Sequence, residues 1–199
     1  MITAVFFDFG GVIAEEGWEN GLNDIASFHG FDPQLFFDDA RDVLWNTGYM
    51  YGRAMENVFW TTLAKRYEFK MSYHQMREKI FERFKIRPKV IELIERIGNA
   101  GYRLAILSDQ TNWLDELNAE HSFYHLFEKV YNSYYLGKGK KDITVFAEVC
   151  DGFGVKPEEV LFVDDNAGHI KRASDSGLQV CHFDNVEEKI KEIEQLLKL

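Results

Sequence analysis

Apolar residues recur along this chain at two spacings. Short runs, Ala4-Val-Phe-Phe, Arg103-Leu-Ala-Ile-Leu, Val160-Leu-Phe-Val and Gln179-Val-Cys-His-Phe, with a weaker one at Lys129-Val-Tyr, read as strands covered on both faces, the habit of a parallel sheet. Between them the spacing becomes helical. From Pro88 the pattern puts Val90, Ile91, Ile94 and Ile97 on one face, and Gly101 closes it as a helix-ending residue should. Further helical patterns cover residues 143–152, 167–176 and 186–199. Strands alternating with helices predict an α/β fold, a parallel sheet doubly wound by helices on both faces.

One stretch breaks the alternation. Residues 14–87 carry aromatic-rich helical patterns and no convincing strand, which predicts a small α-helical cap domain inserted into a core made of residues 1–13 and 88–199. Within the insertion, Ser72 and Gln75 have capping-box spacing, and Ile80, Phe81 and Phe84 continue an apolar face. The three prolines, Pro33, Pro88 and Pro157, each stand where a helix can start. Because the insertion leaves and re-enters beside Asp8, it is positioned to cover a ligand at the carboxyl ends of the strands.

Charge narrows the partners. A net charge of -10 with no basic stripe argues against nucleic acid. The first apolar run stops at Asp8, too soon for a signal peptide or a membrane span, and the only cysteines, Cys150 and Cys181, lack metal-type spacing. These features predict a cytoplasmic protein with two reduced thiols and no membrane partner.

Four polar clusters then stand at or after strand ends. Asp8 closes the first run and is followed by Gly10 and Gly11, which allow close backbone approach to a ligand. Ser108-Asp109 offers a hydroxyl and N–H groups for phosphate oxygens. Lys138 to Lys141 offers positive charge for a nucleophile and a phosphate. Asp164-Asp165 pairs two acids that repel unless a cation lies near, and hard oxygen donors select magnesium.

Together, Asp8, Ser108, Lys140 and Asp164-Asp165 resemble the four motifs of the haloacid dehalogenase-like (HAD) hydrolase superfamily, over essentially the whole chain. The stretch from Phe162 to Gly177, with its acid pair, Ala173 and Gly177, is the most specific part. The resemblance implies a Rossmann-like sheet with a helical cap and Mg2+ as cofactor. Asp8 is then nucleophile and metal ligand, Ser108 binds phosphoryl oxygens, and Lys140 neutralises charge. Asp165 is implied as a metal ligand with Asp164 beside it, and the Gly10 carbonyl completes the set. Asp109, Gly10, Gly11 and Arg53 are the further candidates for contact with substrate, Arg53 because it follows a glycine-flanked loop at Gly48–Gly52. A small phosphorylated metabolite, a sugar phosphate first, is the expected substrate.

Three positions depart from the family pattern. Gly10 stands where most phosphatases of this family carry an acid/base aspartate; in having Asp-x-Gly the chain resembles a branch that includes sugar-1-phosphate phosphatases. Lys141 replaces the usual proline, which leaves Lys138 and Lys141 as rivals to Lys140. His169 replaces a frequent asparagine and reads as a hydrogen-bonding residue. Two other functions fit the same motifs: a non-catalytic binder of phosphorylated ligands, and a metal-independent 2-haloacid dehalogenase, against which the acid pair argues. Trp18, Trp45, Tyr49, Tyr51, Trp60 and Tyr67 are divided between cap core and a wall over the site.

Overall fold

The computed structural model describes residues 1–199. Five strands, β1 (Ala4–Phe7), β2 (Arg103–Ser108), β3 (Lys129–Asn132), β4 (Val160–Asp164) and β5 (Gln179–His182), form one parallel sheet in the order β3-β2-β1-β4-β5. Strand β1 is central because every one of its residues is apolar and fully buried. Its side chains alternate between two cores: Val5 and Phe7 join one, Ala4 and Phe6 the other.

Helices α5 (Pro88–Asn99), α6 (Trp113–His121) and α10 (Val186–Leu197) contribute to the first core. Helices α8 (Thr144–Phe153) and α9 (Ala167–Asp175) contribute to the second, and α7 (Ser133–Leu136) is a single turn. The buried face of α5 is Val90, Leu93, Ile94 and Ile97. Leu93 thus replaces Ile91 in the expected set, because the i, i+3, i+4, i+7 rows from Val90 face the sheet and Ile91 lies at their margin.

Four helices lie between β1 and α5: α1 (Trp18–His29), α2 (Pro33–Asn46), α3 (Glu56–Leu63) and α4 (Tyr73–Phe81). Pro33 and Pro88 occupy first-turn positions of their helices, and Ser72 and Gln75 make the reciprocal capping bonds. The two chain segments that enter and leave this group run side by side: Ala14 bridges Ile86, Glu15 N–H donates to the Lys85 carbonyl, and Arg87 N–H to that of Ile13. Phe9 stacks on Phe123 at 5.0 Å and meets Phe84 at 5.6 Å, so one apolar core runs from the sheet into the inserted helices.

No helix is long and apolar enough to cross a membrane. Cys150 and Cys181 are both free and buried, and burial pushes their thiols up to about 11 and about 12. Since the thiolate is the reactive form, neither should be alkylated by iodoacetamide at neutral pH in the folded protein, and both should be in denaturant. Mass spectrometry of the two samples checks this.

Candidate active site

Parallel register brings the polar strand ends together. Phe7 lies opposite Ile106 on one side and Val163 on the other, so Asp8, Ser108 and Asp164 emerge at the same edge of three adjacent central strands. Asp8 N–H donates to the Val163 carbonyl, which carries the ladder one residue beyond the strand. Asp8 Oδ1 accepts from Phe9 N–H at 2.7 Å and from the Ser108 hydroxyl at 2.6 Å. Ser108, expected to meet phosphoryl oxygens, is 1% exposed and directs its hydroxyl at Asp8.

Lys140 is fully buried, and its Nζ lies 2.6 Å from both Asp8 Oδ2 and Asp164 Oδ2. Two clamps hold its loop. Lys140 N–H donates to the Asp109 carboxylate at 2.9 and 3.1 Å, and Arg172 Nε donates to the Lys140 carbonyl at 2.7 Å. Gly139 is required there because a Cβ would collide with the Asp109 carboxylate. The rival lysines are placed elsewhere: Lys138 bonds Thr144 and Glu148, and Lys141 lies 4.1 Å from the ring centre of Trp45.

Asp164 is saturated, since Oδ1 accepts Asn166 N–H at 2.7 Å while His169 Nδ1 lies 3.2 Å from both oxygens. Asp165, by contrast, lines an open cleft with Asp8 and Gly10. Its carboxylate rests against Gly11, where φ is +77° and a Cβ would overlap it. Gly11→Ala should therefore destabilise the fold by roughly 1–3 kcal/mol and displace Asp165. Thermal unfolding beside an activity assay checks both effects.

The electrostatics follow from burial. Burial raises the Asp8 carboxyl well above the usual range, with Asp164 and Asp165 adding to the rise against the pull of Lys140. Asp165 is raised by burial and by Asp164. Burial also works on Asp164, but Lys140 and His169 overcome it and hold that carboxyl far below its ordinary value. Burial alone would lower Lys140; Asp164 and Asp8 raise it instead. Three carboxylates thus crowd about one ammonium, a deficit of positive charge that a hard divalent ion fits. Ligand atoms of Asp8, Asp164 and His169 lie within 4.8 Å of one another. Asp165 lies outside that group; the bonds of Asp164 are already made, which leaves Asp165, on the cleft side, as the freer carboxylate.

The cleft has a volume of about 310 Å³. Trp18, Trp45, Met50 and Trp113 wall it, whereas Tyr49 and Trp60 are buried and Tyr67 bonds Asp39. Arg53 is not among the lining residues; it donates to the Gly137 carbonyl at 3.2 Å and lies over Tyr51. Positive φ at Gly48 and Gly52 turns this segment toward α7, and a Cβ at Gly52 would strike the Tyr134 carbonyl. Glu16 and Gln110 line the cleft without having been singled out in the sequence.

A buried aspartate at the end of a central parallel strand, ion-paired to a lysine, with two further acids at the end of the adjacent strand, defines the site of this α/β fold. A family model described as haloacid dehalogenase-like hydrolase matches residues 2–177, and the chain belongs to that family. A predicted HAD-like family hydrolase from Porphyromonas gingivalis has 25% identity and a TM-score of 0.81, with 100% of this chain and 99% of that one covered. A HAD family enzyme from Bacteroides thetaiotaomicron, in complex with magnesium and inorganic phosphate, shares the fold at 18% identity and a TM-score of 0.74, covering 91% and 93%. Dehalogenases are also among the structures with this fold. By sequence, enolase-phosphatase E1 of Shewanella frigidimarina (strain NCIMB 400) is 27% identical over 100 residues, which are 49% of this chain and 44% of that protein. The match thus spans less than half the length of that relative.

Proposed function

We propose that this protein is a magnesium-dependent phosphatase of a small phosphorylated metabolite, working through an aspartyl-phosphate on Asp8. The observation that carries the reading is the charge balance about Asp8: Asp164 and Asp165 surround it with only Lys140 as buried counter-charge. A divalent ion and a phosphoryl group complete such a site. Metal-independent 2-haloacid hydrolysis brings its substrate carboxylate with no cation to offset it, whereas the negative phosphoryl group binds together with the divalent ion.

Asp8 Oδ1 accepts from Phe9 and Ser108 and Oδ2 pairs with Lys140, so the carboxylate is held in one orientation for attack on phosphorus in line with the departing alcohol oxygen. The new P–O bond to Asp8 forms as the ester P–O bond breaks, and the departing oxygen takes its proton from water, since Gly10 has none to give. Water then attacks the same phosphorus, restores the Asp8 carboxylate and releases inorganic phosphate. Lys140 neutralises charge on Asp8 and on the phosphoryl oxygens, while Asp109 and Arg172 keep its loop in register. A magnesium ion bound by Asp8, Asp165 and the Gly10 carbonyl, with Asp164 orienting the site, would add positive charge at those oxygens.

Residues 1–13 and 88–199 make up the catalytic core in this reading, and 14–87 the cap that shields the reaction from bulk water. A sugar phosphate is the favoured substrate, because tryptophan faces and hydrogen-bonding groups share the cleft. The two buried free thiols suit a reducing cytoplasm.

Phosphate release from a panel of phosphomonoesters should require magnesium and stop when a chelator is added. Carbon–halogen hydrolysis that continues in the chelator would instead assign the protein to the metal-independent branch. Gly10 favours one further reading, a binder that holds phosphorylated ligands without turnover. Ligand-dependent thermal stabilisation with no phosphate released would be its mark.

A further inference from the structure

Gly10 leaves no side chain two residues after Asp8, and two distant residues approach the vacated volume. A Cβ built on Gly10 would lie 3.4 Å from Glu16 Oε2 and 3.5 Å from Gln110 Nε2. Glu16 comes from the segment just before α1, and Gln110 from the loop after β2. Both line the cleft that contains Asp8. Glu16 Oε1 accepts Glu19 N–H at 3.0 Å, which leaves Oε2 without a hydrogen bond. The Gln110 side chain makes none either; its backbone carbonyl alone is engaged, by the Ser133 hydroxyl at 3.1 Å.

An unpaired acceptor beside an unpaired amide matches a hydroxyl group, which donates to the first and accepts from the second. Groups left half-buried without partners penalise any ligand that cannot satisfy them, and this is how a polar site rejects an analogue lacking the hydroxyl. Charge narrows the ligand further. Glu16, Glu19, Asp109 and Asp165 all line the cleft, against one lining arginine, Arg41, which pairs with Asp38 at 2.8 Å on the exposed side of α2. A second anionic group near the scissile bond would meet carboxylates.

We propose that Glu16 and Gln110 form a subsite for a hydroxyl on the leaving group of the phosphate ester, selecting a neutral, hydroxylated alcohol over an apolar or an anionic one. The assignment rests on the phosphatase reading above. Glu16 and Gln110 set specificity by binding the part of the substrate that departs, while Asp8 and Lys140 handle the phosphoryl group.

The test compares a hexose phosphate with p-nitrophenyl phosphate, whose leaving group has no further hydroxyl, in the magnesium-loaded protein. The ratio of kcat/KM for the first over the second should fall about tenfold or more in Glu16→Ala and in Gln110→Ala. Glu16→Gln keeps an acceptor oxygen and should restore part of the ratio. Gln110→Ala removes no hydrogen bond within the protein, so it stands as a test even if Glu16→Ala disturbs the start of α1. An unchanged ratio in both alanine variants would overturn the subsite, as would a wild type that prefers a phosphorylated hydroxy acid to the hexose phosphate. A wild type that releases phosphate from no ester would overturn the phosphatase reading itself.

Discussion

Replacing Lys140 with methionine should destabilise the protein by roughly 3–5 kcal/mol and abolish phosphate release, the largest combined effect expected of any single substitution here. Its ammonium is fully buried and bridges Asp8 and Asp164. Methionine fills the volume but leaves both carboxylates without their shared counter-charge, so each must take up a proton or be displaced. Chemical denaturation gives the stability change. A double variant, Lys140→Met with Asp164→Asn, should recover part of the stability and none of the activity, because a neutral amide no longer needs the cation. A Lys140→Met protein within about 1 kcal/mol of the wild type would mean that Lys140 forms only the kind of exposed pair that contributes little.

Asp8→Asn should separate activity from folding. The amide is nearly isosteric and retains an oxygen for the Phe9 N–H and Ser108 hydroxyl; its NH2 must move off the Lys140 ammonium, which keeps Asp164 as its partner. Burial and the neighbouring acids already disfavour the charge of Asp8, so removing it should leave stability within about 1 kcal/mol of the wild type or raise it. Phosphate release should fall by at least about 10³-fold, since an amide oxygen is a poor nucleophile and cannot be regenerated by the same chemistry. Equal rates in the two proteins would remove Asp8 from the mechanism.

The sheet was legible in the sequence because parallel strands covered on both faces appear as uninterrupted apolar runs. All five sequence runs correspond to strands whose ends differ from expectation by one residue at most. Helix α6 was not legible. Only Trp113, Leu114 and Leu117 are buried on it and Asn112 makes no side-chain cap, which leaves the first-turn acids Asp115 and Glu116 as a local helix signal. It is held by tertiary packing rather than by a strong local signal. Asp8, Ser108 and Asp164 could be read as strand ends, and register alone then carries them to one edge. Resolving Lys140 from its neighbours needed the loop clamped by Asp109 and Arg172, a contact over 30 residues of chain that no local pattern encodes. Arg53 lies outside the cleft lining for the same reason: its glycines mark a turn, but the direction of that turn depends on α7. Glu16 and Gln110 meet only because the chain folds back over Gly10.

In the proposed mechanism a covalent bond forms between Asp8 and phosphorus. The most direct measurement is an acid quench of the magnesium-loaded protein during turnover of a phosphomonoester, followed by peptide mapping. A phosphoryl group on the Asp8 carboxylate, labile to hydroxylamine and absent from Asp8→Asn, is the predicted result. Steady phosphate release with Asp8 unmodified at every quench time, and undiminished in Asp8→Asn, would contradict it.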